Sequence, residues 1–148
     1  MNKIPSPRRD LDILDGYHSP QLDVSVRLNT NESPFPLPET FTEELEFEIK
    51  NLELNRYPNR SASELCLAIA ERELLKENEV FVANGSNEVI QSICLAFGGP
   101  ERSALIFEPT YAMHSQIAKI TGTRVVDGFR DAEFKVDTNV ALELIEKE

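Results

Sequence analysis

The stretch Val80-Phe81-Val82-Ala83-Asn84-Gly85-Ser86-Asn87-Glu88-Val89-Ile90 runs from an apolar segment through a glycine turn into an amphipathic helical pattern. Residues 80–83 read as a strand, being short, apolar and bounded by turn residues. A helix that starts on Gly85-Ser86-Asn87 leaves its first backbone N–H groups without acceptors. The helix dipole concentrates partial positive charge at the same place. The expectation is a small-molecule anion site suited to a phosphate. The loop is neither G-x-G-x-x-G nor a Walker A sequence, so neither a dinucleotide nor a triphosphate is indicated. Taken alone, these residues are equally well a good helix start and nothing more.

Downstream, the helix carries Val89, Ile90, Ile93, Cys94 and Phe97 on one face and stops at Gly98-Gly99-Pro100. A second strand over 104–107 ends in Glu108-Pro109-Thr110-Tyr111, which delivers an aromatic ring to the carboxyl edge of a sheet. A helix from about Tyr111 turns Met113, Ile117 and Ile120 inward and ends at Gly122. A strand over 124–127 and a helical pattern over 138–148 follow. Strands separated by helices of this length define βαβ units, an α/β fold and a parallel sheet, and such sheets bind ligands at the carboxyl ends of their strands.

Upstream, prolines at 5, 7, 20, 34, 36 and 38 forbid a continuous helix, so residues 1–38 read as an extended arm. Its centre, Val24-Ser25-Val26-Arg27-Leu28, alternates as a short strand does and runs into the turn-rich Asn29-Thr30-Asn31-Glu32-Ser33-Pro34. A first helix is expected from about Glu39 to Leu52. A second opens on Ser61, with Glu64 completing a capping box and Ala62, Leu65, Cys66 and Ile69 facing the core. Residues 39–148 then form the beginning of a domain. Three strands are too few for a closed doubly wound sheet, and the last helical pattern stops on Glu146-Lys147-Glu148, so the expectation is an amino-terminal fragment.

A formal charge of −11, from 15 basic and 26 acidic residues, argues against nucleic acid as the main partner. Anion binding must then be local, through backbone amides and a few arginines. No apolar run of about eighteen residues could span a bilayer, and the start lacks a signal-peptide core. A cytoplasmic protein is expected. Cys66 and Cys94 fall on apolar helix positions and read as buried free thiols. No metal-ligand spacing is present.

Each candidate has a plain structural reading. Tyr111 alone is a packed surface aromatic, and Tyr57 is a turn residue. His18 and His114 form no catalytic arrangement. Glu88 is explained by the helix dipole alone, and Glu43-Glu44 by a solvated helix face.

In combination the segments say more. Arg27-Leu28-Asn29-Thr30-Asn31-Glu32-Ser33-Pro34, Asn55-Arg56-Tyr57-Pro58-Asn59-Arg60, Ala83-Asn84-Gly85-Ser86-Asn87-Glu88 and Glu108-Pro109-Thr110-Tyr111-Ala112-Met113-His114 stand in an order and spacing that resemble the histidinol-phosphate aminotransferases. These belong to the fold-type-I pyridoxal-phosphate enzymes. The resemblance covers practically the whole chain, from Tyr17 to about Val126, and less than half of a family member.

The resemblance implies a doubly wound, mostly parallel three-layer large domain, incomplete here, preceded by the arm. It implies a homodimer that uses pyridoxal 5'-phosphate to move an amino group between L-glutamate and imidazole-acetol phosphate, with histidinol phosphate and 2-oxoglutarate on the other side of the reaction. Gly85, Ser86 and Asn87 would hold the cofactor phosphate, and Tyr111 would stack on its ring. Tyr57 would reach the cofactor phosphate of the other subunit. Tyr17 would approach the phosphate end of the substrate, with Asn31 and Glu32 at the pocket mouth. The family's cofactor-attaching lysine, which also shuttles the α-proton, has no counterpart among Lys3, Lys50, Lys76, Lys119, Lys135 and Lys147. No catalytic residue and no activity are therefore expected of these 148 residues alone. An aromatic aminotransferase or a decarboxylase of the same fold would share the motifs. A non-catalytic binding remnant, complete as written, is the alternative from a different class.

Overall fold

A parallel ladder joins β1 (Ser103–Glu108) to β2 (Arg124–Phe129), with Ser103 opposite Arg124 and Glu108 opposite Phe129. Both strands are rich in β-branched and aromatic residues, which suit a pleated surface packed on one side. Parallel pairing requires a crossover, supplied by α4 (Met113–Ile120). The core lies where α4 meets the ladder, with Ile106 of β1 and Ile117 and Ala118 of α4 buried. Ahead of β1, α3 (Ser86–Phe97) packs against α4. After β2 comes α5 (Thr138–Glu146), capped by Asp137, whose Oδ1 accepts the N–H groups of Asn139 at 2.8 Å and Val140 at 3.3 Å.

The computed structural model describes residues 4–11, 20 and 22–147. They fall into two compact units, the described parts of Met1–Gly16 with Asn78–Glu148, and of Tyr17–Glu77. In the first unit the Arg8 guanidinium donates to the Ile120 carbonyl at 3.1 Å, one of the acceptors that the end of α4 leaves open. The same guanidinium donates to Asp10 and holds its carboxyl below the ordinary value of 3.8. Thr123, buried just before β2, accepts the Gly99 N–H at 2.9 Å, and its hydroxyl lies 3.4 Å from that of Thr121.

The second unit holds α1 (Glu39–Asn51) and α2 (Ser63–Glu73). The first agrees with the expected bounds to within a residue. The second does not begin with a capping box. Its N-cap is Ala62 at φ 46, with no side-chain cap, and Asn59 has taken Ser61 instead. Asn59 Oδ1 accepts from the Ser61 N–H and hydroxyl, both at 3.0 Å, while its amide donates to the Ser63 hydroxyl at 2.8 Å. Cys66 and Ala70 form the buried face of α2, and Leu65 is exposed.

Two expected strands are absent from the described residues. Residues 80–83 follow a 3-10 turn at Glu77–Glu79 and make no ladder; the sheet among the described residues holds β1 and β2 alone. Residues 24–28 also lack a partner, and Val24, Val26 and Leu28 are exposed. That loop is tied to itself, Arg27 donating to the Leu22 carbonyl and Asn29 to that of Pro20. Of the expected inward residues, Ile93, Phe97 and Ile120 are exposed, whereas Ile117 is core. The α/β class and the parallel pairing agree with the sequence reading.

Candidate functional site

The first turn of α3 is set by Gly85, whose φ of 90° and ψ of 163° lie where L side chains are strained. Its N–H donates to the Ala83 carbonyl at 2.9 Å, and its own carbonyl accepts from Glu88 N–H at 3.2 Å and Val89 N–H at 3.4 Å. The N–H groups of Ser86 and Asn87 come earlier in the helix than any intrahelical acceptor, so they remain open at its positive end. Space beside Gly85 is free, since a Cβ built there meets nothing within 4 Å. Glu88 turns back: its Oε2 accepts the Asn84 N–H at 2.6 Å. The helix dipole alone does not explain Glu88.

A cleft of about 420 Å³ opens beside this turn, lined by Asn84, Asn87, Glu88 and Gln91 on one side and by Met113, Ile117 and Ile120 of α4 on the other. No lysine lines it. At the carboxyl end of β1, Glu108 Oε2 accepts the Thr110 N–H at 2.9 Å, which fixes the turn into α4. Tyr111 is 45% exposed, and its ring meets His114 edge to face, with centroids 5.7 Å apart and planes at 88°. His114 Nδ1 also lies 3.4 Å from the Thr110 hydroxyl. Sequence reasoning gave His114 no role. Its signal was the spacing of Thr110, Tyr111 and His114, which one helical turn brings together.

Gly85, Ser86 and Asn87 thus share one turn, and Tyr111 follows the carboxyl end of β1 in the same unit but does not line the cleft beside that turn. The other candidates belong to the second unit. Tyr57 is fully exposed in its loop. Asn31 takes φ 54°, and Glu32 pairs with Arg27 at 3.5 Å. Beside them the Thr30 hydroxyl oxygen is buried without a hydrogen-bond partner, a feature that sequence reasoning missed. Tyr17 and His18 lie outside the described residues. Arg130 was also overlooked: it donates to the Phe107 carbonyl at 3.3 Å and lines a second cleft with Thr110 and His114.

Cys66 is buried and Cys94 half-buried, and both are free thiols. Among the described residues no group of three or more His, Cys, Asp or Glu is placed to hold a metal ion. Among the same residues no helix is long and apolar enough to cross a membrane.

Open amides at the start of α3 and an aromatic just past the carboxyl end of β1 lie in one α/β unit. Residues 23–148 match the family Aminotransferase class I and II, and the chain belongs to it. Enzymes of this family depend on pyridoxal 5'-phosphate. Among curated proteins, the chain is 43% identical to the histidinol-phosphate aminotransferase of Corynebacterium diphtheriae, over 98% of this chain and 42% of that protein. Identity is 43% with that of Corynebacterium efficiens, over 95% and 40%, and 45% with that of Corynebacterium glutamicum strain R, over 87% and 37%. The chain therefore spans about 40% of the length of these relatives.

Proposed function

We propose that this chain supplies the cofactor-phosphate site of a histidinol-phosphate aminotransferase, a homodimer in the cytoplasm. The enzyme would exchange an amino group between L-glutamate and imidazole-acetol phosphate, giving histidinol phosphate and 2-oxoglutarate. The observation that carries the reading is the pair of open amides, Ser86 and Asn87, at the start of α3. They fit a phosphate monoester, because they donate without a counter-charge and Gly85 leaves the approach free. The relatives of known name add the substrate class.

Pyridoxal 5'-phosphate, when bound, supplies an electron-withdrawing ring that stabilises negative charge at the substrate α-carbon. In this reading Ser86 and Asn87 hold its phosphate, and Tyr111 orients the ring by stacking. Tyr57 donates its hydroxyl to the phosphate in the partner subunit, while Tyr17, Asn31 and Glu32 receive the substrate. Residues 1–38 form the arm, and 39–148 open a doubly wound three-layer large domain. None of this chain's lysines is assigned the α-proton.

A graft tests the reading. Residues 1–148 replacing the matching part of the Corynebacterium glutamicum strain R enzyme should give a folded dimer with glutamate-dependent amination of imidazole-acetol phosphate. A folded graft that binds the cofactor and leaves that substrate untouched would overturn the substrate assignment. The 148-residue chain alone should bind the cofactor reversibly, and borohydride reduction with peptide mapping should label no single lysine stoichiometrically.

A further inference from the structure

The proposed phosphate site has a turn that must be held in one shape, and the only side-chain hydrogen bond to its backbone among the described residues comes from Glu88. We propose that Glu88 is the positioning residue of that site, acting through its acceptor oxygen and not through its charge; the inference rests on the reading of Ser86 and Asn87 as phosphate-binding amides.

Glu88 is the third residue of α3, one turn past Asn84 and on the wall of the same cleft as Asn84 and Asn87. Its Oε2 receives the Asn84 N–H at 2.6 Å, which leaves the Ser86 and Asn87 N–H groups as the open donors of this turn. The bond closes a ring from Asn84 through Gly85 to Glu88. A flexible glycine sits within that ring, and fixing it lowers the conformational entropy to be lost when a ligand binds. A carboxylate beside a phosphate is electrostatically unfavourable, so its charge does not account for its place there. The chemistry calls for an acceptor with a two-carbon reach. Glutamine has both features; aspartate keeps the charge but is shorter by one C–C bond, about 1.5 Å.

The two conservative variants therefore separate the alternatives. The ¹⁵N-labelled 148-residue chain, titrated with pyridoxal 5'-phosphate, should show saturable shifts of the Ser86 and Asn87 amides, while pyridoxal without the phosphate should leave them in place. Glu88→Gln should bind as tightly as the parent or more tightly, and Glu88→Asp about fivefold more weakly, the loss of about one hydrogen bond. Equal binding by Glu88→Asp, with weakening in Glu88→Gln, would overturn the inference and return Glu88 to the helix dipole. Should the parent amides fail to respond at all, the phosphate-site reading falls first and takes this inference with it. A response in the parent that neither variant alters would overturn the inference alone.

Discussion

The ring of Phe107 in β1 lies against the backbone of Gly128, its ladder partner in β2. A Cβ at 128 would come within 2.7 Å of two ring carbons. The glycine is therefore required by its neighbour, and the aromatic covers a stretch of backbone that would otherwise be exposed.

Replacing Gly128 with alanine should destabilise the chain by about 1–3 kcal/mol, the usual cost of overpacking a fitted contact. Urea unfolding of Gly128→Ala, Phe107→Leu and the double variant measures it. The double variant should lose less than the sum of the two, since the smaller side chain makes room for the added methyl. Strict additivity would show that the two residues are independent.

Asp137→Ala should cost about 1 kcal/mol by freeing the N–H groups of Asn139 and Val140 at the start of α5, and Asp137→Asn should restore most of it. Loss of helical ellipticity confined to this segment, followed by hydrogen exchange at 139 and 140, is the readout. An alanine variant with unchanged exchange there would contradict the role of the cap.

The Asp10 carboxyl should titrate below the ordinary 3.8 in the intact chain and move back toward it in Arg8→Ala, as followed by carboxyl carbon shifts. The sign follows from linkage. A depressed folded pKa contributes stability above the ordinary value, and that contribution disappears as pH falls through the lowered one.

For the proposed cofactor, Tyr111→Ala should weaken retention by roughly 1 kcal/mol beyond the lost burial, and Tyr111→Phe should spare it, because stacking needs the ring and not the hydroxyl. Dialysis of the grafted enzyme distinguishes the two variants. Equal loss in both would assign the role to the hydroxyl.

Tyr57→Phe in the graft should act only across the dimer, at about 1.5–3 kcal/mol for one hydroxyl to an anionic group. Mixing it with subunits lacking the cofactor-attaching lysine places both lesions in one pocket of the heterodimer. Activity per heterodimer should recover to about half that of the intact dimer, with independent sites in a twofold assembly. A heterodimer with no more activity than the Tyr57→Phe homodimer contributes would place Tyr57 in its own subunit's pocket.

Local patterns in the sequence were legible where one segment decides its own structure. The existence of α1, α3 and α4 and the short apolar runs of β1 and β2 fall into this class, as do the open amides after Gly85. What depends on two parties was not. Residues 80–83 have strand composition, but a ladder needs a neighbour. Ser61 has the sequence of a helix cap, yet Asn59 offers it a nearer partner. His114 and Glu88 looked ordinary because their significance lies in which oxygen or ring the turn brings to them.

The hydroxyl of Thr123 binds the segment ahead of β1 to the segment ahead of β2, since it accepts from Gly99 while sitting one residue before Arg124. Both junctions are at the amino ends of the strands, whereas Thr110 and Tyr111 follow a carboxyl end. Inherited changes should therefore sort by location. In the enzyme proposed above, those at the Thr123 end should appear as less protein in the cell with normal turnover per molecule, and those at the Tyr111 end as normal amounts of protein that retains the proposed cofactor poorly.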